Sequence, residues 1–277
     1  MIIAKISDGF GNQLFMYACG YTVSKRLHTK LMLDISYLDT NSLRSYELDK
    51  LNICFDRKFT VLALKFYPLK VLCRKIAHAY MKLCYKYLYE KSGCGYNDNV
   101  RGATNRTYLF GYWQSEKYFS DCRCDLLKMF TPRYELSEGC KYYIEQVRAC
   151  QSIAIHVRRG DYVALGNCLD TSYYDKAIDI INSQVENPVY YVFSDDLDYA
   201  KQIFTHKRGI YKYVEYQSDN LSLDDFFIMK ECRHIIMANS SFSWWAAWLK
   251  SNADKIVICP KIEQWDGDFY PESWMKL

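Results

Sequence analysis

From residue 152 to residue 259 the chain alternates between short apolar runs of strand type and stretches with helical spacing. Strands are expected at 152–157, 189–193, 211–216, 234–237 and 255–259. Helices are expected at 172–184, from 195 to about 204, at 222–230 and at 244–250. Strands that alternate with helices argue for a parallel sheet covered on both faces. That arrangement fixes where chemistry can sit, because ligands of open α/β sheets bind just beyond the carboxyl ends of the strands.

Three of these strands end in polar clusters of different kinds. The run Ile153-Ala154-Ile155-His156-Val157 stops at Arg158-Arg159-Gly160-Asp161. A second run ends in Ser194-Asp195-Asp196, and a third in Asn239-Ser240-Ser241-Phe242-Ser243. In a parallel sheet all three face one edge. Arginine suits planar, bidentate contact with phosphate oxygens. The serines, at a helix start, suit phosphate or ribose oxygens. Asp195 or Asp196 suits a base or a ribose hydroxyl. Plainer readings stand beside these: a surface ion-pair cluster for the arginines, and helix capping for Ser194, the two aspartates and the serines. His156 either orients the loop through a hydrogen bond or is a satisfied core histidine. Trp244, Trp245 and Trp248 have the spacing of a buried helix face.

The first half begins with a strand at 2–6, a loop Asp8-Gly9-Phe10-Gly11-Asn12, a helix at 13–27 and a strand at 30–34. A glycine loop between strand and helix lets a ligand reach the helix amino terminus, where unpaired N–H groups favour anions. The loop lacks the third glycine of a dinucleotide fingerprint and the Gly-Lys-Ser/Thr ending of a P-loop. Residues 37–57 look irregular. Residues 59–90 look helical and basic, with Pro68 as a break. Leu69, Leu72, Ile76, Ala79, Tyr80, Leu83 and Tyr87 share one face, with Lys70, Arg74, Lys75, Lys82 and Lys86 largely elsewhere. This pattern is either a core stripe under a solvated face or a basic amphipathic helix lying on a membrane. A turn-rich link spans 93–104, a strand 107–111, and Ser115 and Ser137 look like helix caps. The expected division is into domains 1–150 and 151–277.

A chain of 277 residues is comfortable for two domains. The net charge of +4 is too mild to demand nucleic acid, yet it suits a polyanionic small ligand or an anionic membrane surface. The twelve cysteines are scattered, no signal peptide is evident, and no run approaches the roughly 20 apolar residues of a span. The expected setting is therefore cytoplasmic, with free thiols. Asp196-Leu197-Asp198 and Asp266-Gly267-Asp268 have the spacing of metal-binding carboxylate pairs. The arginine pair makes a cation redundant, and no metal is expected.

Taken together these motifs resemble a known family. His156-Val157-Arg158-Arg159-Gly160-Asp161-Tyr162 is similar to the HxRRxD motif of fucosyltransferases that use GDP-fucose. Gly9-Phe10-Gly11-Asn12-Gln13-Leu14-Phe15-Met16-Tyr17-Ala18 resembles the amino-terminal motif of the α1,2-fucosyltransferases. The clusters at 194–196 and 239–245 resemble later motifs, in the same order. One departure is Asp8, where that family usually has glycine.

The resemblance implies a GT-B-type fold, two Rossmann-like domains facing across a cleft, with the acceptor side in 1–150 and the GDP-fucose site in 151–277. It implies inverting, metal-independent transfer from GDP-β-L-fucose to a galactoside hydroxyl, O2, in polysaccharide or lipopolysaccharide biosynthesis. No cofactor is implied. Arg158 would hold the diphosphate and Asp161 would be the base or an ion-pair partner of the arginines. Donor-binding residues would be Gly11, Asn12, His156, Arg158, Arg159, Ser194, Asp195, Asp196, Ser240, Ser241 and Phe242. Two other readings remain: a glycosyltransferase with another nucleotide sugar or linkage, and a non-catalytic glycan- or nucleotide-binding module. A lipid-linked acceptor and peripheral membrane contact through residues 69–91, at the inner face, complete the expectation.

Overall fold

The computed structural model describes residues 1–38, 44–60, 67–90, 95–265 and 267–277. The chain forms two compact units, Met1–Tyr134 with Glu263–Pro271 and Glu135–Ile262 with Glu272–Leu277. Each has its own parallel sheet flanked by helices, as the two Rossmann-like cores of a GT-B-type chain require.

In the first unit the elements run β1 (Ile2–Lys5), α1 (Phe10–Arg26), β2 (Leu31–Asp34), β3 (Arg57–Phe59), α2 (Tyr67–Cys84), β4 (Lys86–Tyr89), β5 (Thr107–Phe110) and α3 (Arg123–Met129). The strand order is β3-β2-β1-β5-β4, parallel throughout. Central β1 is buried from Ile2 to Ala4, as a strand covered on both faces must be. Helix α1 starts inside the glycine loop, earlier than its spacing suggests, because Gly9 supplies the extended residue that caps it. Leu14, Phe15, Met16, Tyr17, Ala18 and Cys19 are all buried, so α1 carries no clean apolar stripe.

The stretch 59–90, expected to be helical and basic with a break at Pro68, is divided differently. Strand β3 ends at Phe59, residues 61–66 lie outside the described residues, and α2 gives way to the edge strand β4. Pairing with β5 in the register Lys86↔Thr107 to Tyr89↔Phe110 overrides the helical spacing of those four residues. Pro68 lies in the first turn of α2, where its missing N–H costs no hydrogen bond, so it starts the helix instead of breaking it. The expected core stripe is also corrected. Leu72, Ile76, Tyr80 and Leu83 are 52%, 60%, 65% and 87% exposed, so among the described residues these four join no core.

The second unit runs α4 (Glu138–Arg148), β6 (Ser152–Val157), α5 (Gly160–Leu165), α6 (Thr171–Gln184), β7 (Val189–Ser194), α7 (Leu197–Phe204), β8 (Ile210–Tyr213), α8 (Leu221–Glu231), β9 (His234–Ile236), α9 (Ser241–Trp248), β10 (Val257–Cys259) and β11 (Met275–Lys276). The parallel order is β11-β10-β9-β6-β7-β8. The units divide at Tyr134/Glu135, ahead of the boundary expected near residue 150, because α4 is fastened to α8. Ser137 caps α4, accepting from the Cys140 N–H, and donates to the buried Asp224 carboxylate at 2.6 Å. At the other end Arg148 pairs with Glu231 at 2.7 Å.

Ile153, Ile155, Val157, Tyr190 and Val192 of the sheet pack on Tyr173, Tyr174, Ala177 and Ile181 of α6 to form a core. Trp244, Trp245 and Trp248 are buried, as their spacing indicates. Lys250 is also buried. Its Nζ donates to the carbonyls of Met229, Lys230 and Cys232 at 2.6, 3.0 and 2.5 Å and so closes the carboxyl end of α8. The described cysteines are free thiols, and among the described residues no helix is long and apolar enough to cross a membrane.

Candidate active site

The three strands with polar ends, β9, β6 and β7, are neighbours in one parallel sheet, so their carboxyl ends lie side by side. From β6 the chain builds outward through β7 and β8, then returns to place β9 on the other flank of β6. The order therefore reverses between β6 and β9, the place where doubly wound sheets leave a crevice for ligand.

Arg158 follows directly on β6. Its Nη1 lies 2.7 Å from Asp195 Oδ2 and its Nη2 lies 2.6 Å from Asp161 Oδ1. One carboxylate from the first turn of α5 and one from the loop after β7 thus fix the plane of one guanidinium. Asp195 Oδ1 also accepts the Arg159 N–H at 2.8 Å. Arg159 pairs through Nε with Asp196 Oδ2 at 2.9 Å and lies over the Tyr199 ring, 3.6 Å from its centroid. Asp196 is the N-cap of α7, and Ser194 Oγ accepts the Asp196 N–H at 3.0 Å. The Tyr199 N–H, followed by Arg159, holds the Asp196 carboxyl below the usual carboxylate range. Gly160 makes the arrangement possible: a Cβ there would stand 2.6 Å from Asp195 Oδ2.

Beside this cluster lies a cavity of about 470 Å³, lined by Gly160, Asp195, Asp196, Asp198, Lys201 and Glu215 among others. Its walls are rich in acceptors, which suits a ligand that presents N–H and O–H donors next to an anionic group.

The β9 side contributes differently. Ser240 caps α9, accepting from the Phe242 N–H at 3.3 Å, and Ser241 and Phe242 open the helix. Ser243 is turned inward onto the Ala238 and Ser240 carbonyls. His156 is buried, packs on the Phe242 ring at 5.7 Å, and has no hydrogen-bond partner on Nδ1. Burial, aided by Arg158, lowers its pKa to about 4, so the ring is neutral at neutral pH. Neither reading of His156 from sequence included an unpartnered ring nitrogen. Three contacts carried no sequence signal: Tyr162 O–H to the Asn239 carbonyl at 3.0 Å, Asn239 Nδ2 to the Asn167 carbonyl at 2.8 Å, and the Tyr199 platform.

In the first unit the strand order reverses between β1 and β5. Asp8 adopts a φ of +64°, a left-handed conformation that glycine adopts freely and aspartate tolerates. This accounts for an aspartate where the resembling motif has glycine. Its Oδ2 accepts from Ser7 Oγ at 2.8 Å and from Tyr112 O–H at 2.9 Å. Gly11 is buried in the first turn of α1, and Asn12 Oδ1 accepts from Gln114 Nε2 at 2.9 Å. One member of each carboxylate pair with metal-like spacing has another partner. Asp196 caps a helix, Asp268 pairs with Lys117 at 2.6 Å, and Asp266 lies outside the described residues.

The profile of "Glycosyl transferase family 11" matches residues 53–275. The chain is 30% identical to an alpha-1,2-colitosyltransferase of Escherichia coli, over 100% of this chain and 99% of that protein. It is 31% identical to the O-antigen biosynthesis glycosyltransferase WbnK of Escherichia coli, over 98% and 99%. It is 28% identical to the galactoside alpha-(1,2)-fucosyltransferase 2 of Rattus norvegicus over 53% of this chain and 45% of that one. The crystal structure of the fucosyltransferase NodZ from Bradyrhizobium superposes with a TM-score of 0.51 at 12% identity, covering 88% of this chain and 91% of that one. At that identity the likeness concerns the fold alone.

Proposed function

Since this chain belongs to glycosyl transferase family 11 and is a glycosyltransferase, we propose that it transfers L-fucose from GDP-β-L-fucose to a galactoside. The transfer goes to O2, with inversion and without a metal ion. The observation that carries this reading is the Arg158 guanidinium, fixed by Asp161 and Asp195 beyond the end of β6. The bond from the anomeric carbon to the donor phosphate breaks as the bond to the acceptor oxygen forms, and GDP leaves with the electron pair. Arg158, with Arg159 beside it, neutralises the charge growing on the diphosphate. Preorganised charge of this kind is commonly the largest catalytic contribution.

His156, Ser240, Ser241 and Phe242 flank the diphosphate and ribose on the β9 side. Ser194, Asp195 and Asp196 border the cavity that would take the nucleoside, whose ring N–H groups and ribose hydroxyls need acceptors. Gly11 and Asn12 are donor-binding residues of the first unit. The 2.6 Å pair with Arg158 favours an anchoring role for Asp161. Its alternative role, accepting the proton of the acceptor hydroxyl, is separated by the pH–rate profile of Asp161→Asn. Loss of an acidic limb marks a base, and a uniform drop marks an anchor.

A second donor has a specific observation behind it. One relative, matched over 99% of its length, is named an alpha-1,2-colitosyltransferase, so colitose is the competing sugar. The exposed apolar face of α2, with Lys75 and Lys82 along its flank, fits the surface of an anionic bilayer. A lipid-linked saccharide is accordingly the acceptor form we propose. The deciding assay incubates the protein with GDP-fucose and a galactoside panel in EDTA and determines the product linkage. A fucosyl-α1,2-galactoside supports the proposal. Turnover with only UDP- or ADP-sugars sinks it.

A further inference from the structure

We infer that Glu90 is a positioning residue for the Asp8–Asn12 loop, acting through the backbone of residues 112–114. The inference rests on the donor-binding role proposed above for Gly11 and Asn12. Glu90 follows β4, and its N–H donates to the Phe110 carbonyl at 3.1 Å, continuing the β4–β5 ladder by one rung. Its side chain then turns toward the loop that leaves β5. Oε2 accepts the Trp113 N–H and Oε1 accepts the Gln114 N–H at 3.0 Å. One carboxylate therefore fills two consecutive backbone donors.

The loop it holds is not one the chain would adopt unaided. Trp113 has a φ of +57°, which is unfavourable for a bulky side chain and persists only where the surroundings enforce it. The Trp113 ring is buried edge-on against Tyr118, with centroids 5.3 Å apart. Gly111 lets the loop close, since a Cβ there would lie 2.5 Å from Glu90 Cβ and 3.1 Å from Glu90 N.

The other side of the same loop touches the β1–α1 loop at Asp8 and the first turn of α1 at Asn12. Tyr112 O–H reaches Asp8 at 2.9 Å, and Gln114 Nε2 reaches Asn12 at 2.9 Å. These are the loops at the reversal of strand order in this sheet. A displacement of residues 112–114 would therefore carry both ends of the 8–12 loop with it. Nothing in the sequence marked Glu90, because its partners are backbone groups 23 and 24 residues away.

The linkage carries a pH dependence. Burial raises the Glu90 carboxyl to about 7, against the lowering effect of the backbone donors. The groups that sense its charge are the Tyr112 and Tyr118 phenols and the Cys19 thiol, each neutral at pH 7, and Asp8 stands beyond Tyr112. Protonation turns one of the two accepting oxygens into a hydroxyl, so the clamp is complete only on the alkaline side of that titration. Glu90→Gln imposes the incomplete clamp at every pH, because an amide nitrogen cannot accept.

The test compares wild type and Glu90→Gln by amide hydrogen exchange and by kcat/KM from pH 5.5 to 8.5 (a range on the order of that titration). Exchange should quicken in peptides covering residues 8–16 and 110–116 and stay unchanged in the second unit. The part of the acidic limb centred near pH 7 should vanish, with kcat/KM at the alkaline end lower by on the order of tenfold. A folded variant with wild-type exchange in residues 8–16 overturns the inference, and so does an unchanged acidic limb. Should Glu90→Gln not fold, Gln114→Ala cuts the link to Asn12 while leaving Glu90 in place. Quickened exchange in 8–16 then supports the inference, and wild-type exchange there overturns it. A wild-type protein inactive with GDP-fucose would count against the proposed donor, and the exchange comparison would still decide the role of Glu90.

Discussion

Asp195 bridges Arg158 and the backbone of Arg159: its Oδ2 lies 2.7 Å from Arg158 Nη1, while its Oδ1 takes the N–H of the next residue at 2.8 Å. The carboxylate comes from the loop after β7 and the arginine from the end of β6, strands paired from Ser152↔Val189 to Val157↔Ser194. Sheet register therefore sets the aim of the guanidinium. Asp195→Asn keeps the shape and removes the charge. It should lower kcat by about tenfold while leaving the melting temperature nearly unchanged, because exposed ion pairs contribute little stability. Gly160→Ala should do the same or worse by pushing Asp195 aside, since its new Cβ would stand 2.6 Å from Oδ2.

Lys250 supports the region from a distance. Replacing it with methionine leaves the carbonyls of Met229, Lys230 and Cys232 without their shared donor. Buried acceptors without partners cost about 1–3 kcal/mol each, so a loss of about 3 kcal/mol is expected for Lys250→Met in urea unfolding. A variant as stable as wild type would show that those carbonyls find other donors.

Asp225 gives a pH effect of definite sign. Burial, aided by Asp224, raises its carboxyl to about 7, against the lowering bond from Tyr216 O–H at 2.9 Å. The folded protein then holds a proton that the unfolded chain has released, so stability falls as pH rises from about 4 to about 7. Asp225→Asn should flatten that slope in denaturant titrations of the second unit. An unchanged slope would locate the titration elsewhere.

The outward face of α2 makes a binding prediction. Leu72, Ile76, Tyr80 and Leu83 are exposed, and Lys75 and Lys82 are exposed on the same helix. Sedimentation with vesicles containing anionic phospholipid should recover the wild type, and neutral vesicles should recover much less of it. Ile76→Glu combined with Leu83→Glu should abolish recovery with the fold intact. Equal recovery of wild type and double variant would remove α2 as the contact.

Much of the second unit was legible in its sequence because its central strands are continuous apolar runs bounded by polar clusters. The strand 152–157 is found as read, and the capping roles of Ser115 and Ser137 hold. Tertiary pairing decided the rest. Strands β3, β4 and β11 are two to four residues long and exist through their neighbours, so no local period announces them. Helix α5 has no buried residue and therefore no apolar stripe to read. The arginines stood out as a motif, but the partners of Arg158 and Arg159 lie up to 37 residues away, and Tyr199 became a stacking platform only once α7 was placed. Asp8 shows the reverse: a departure from a motif in the sequence is a backbone requirement in the fold, met by a residue that tolerates positive φ.

A crystal of the protein soaked with GDP shows whether Arg158 draws the nucleotide away from the sugar. Diphosphate oxygens should lie within about 3 Å of the Arg158 guanidinium nitrogens, with the nucleoside toward Asp195 and Asp196. Well-defined GDP that does not touch Arg158 would contradict it.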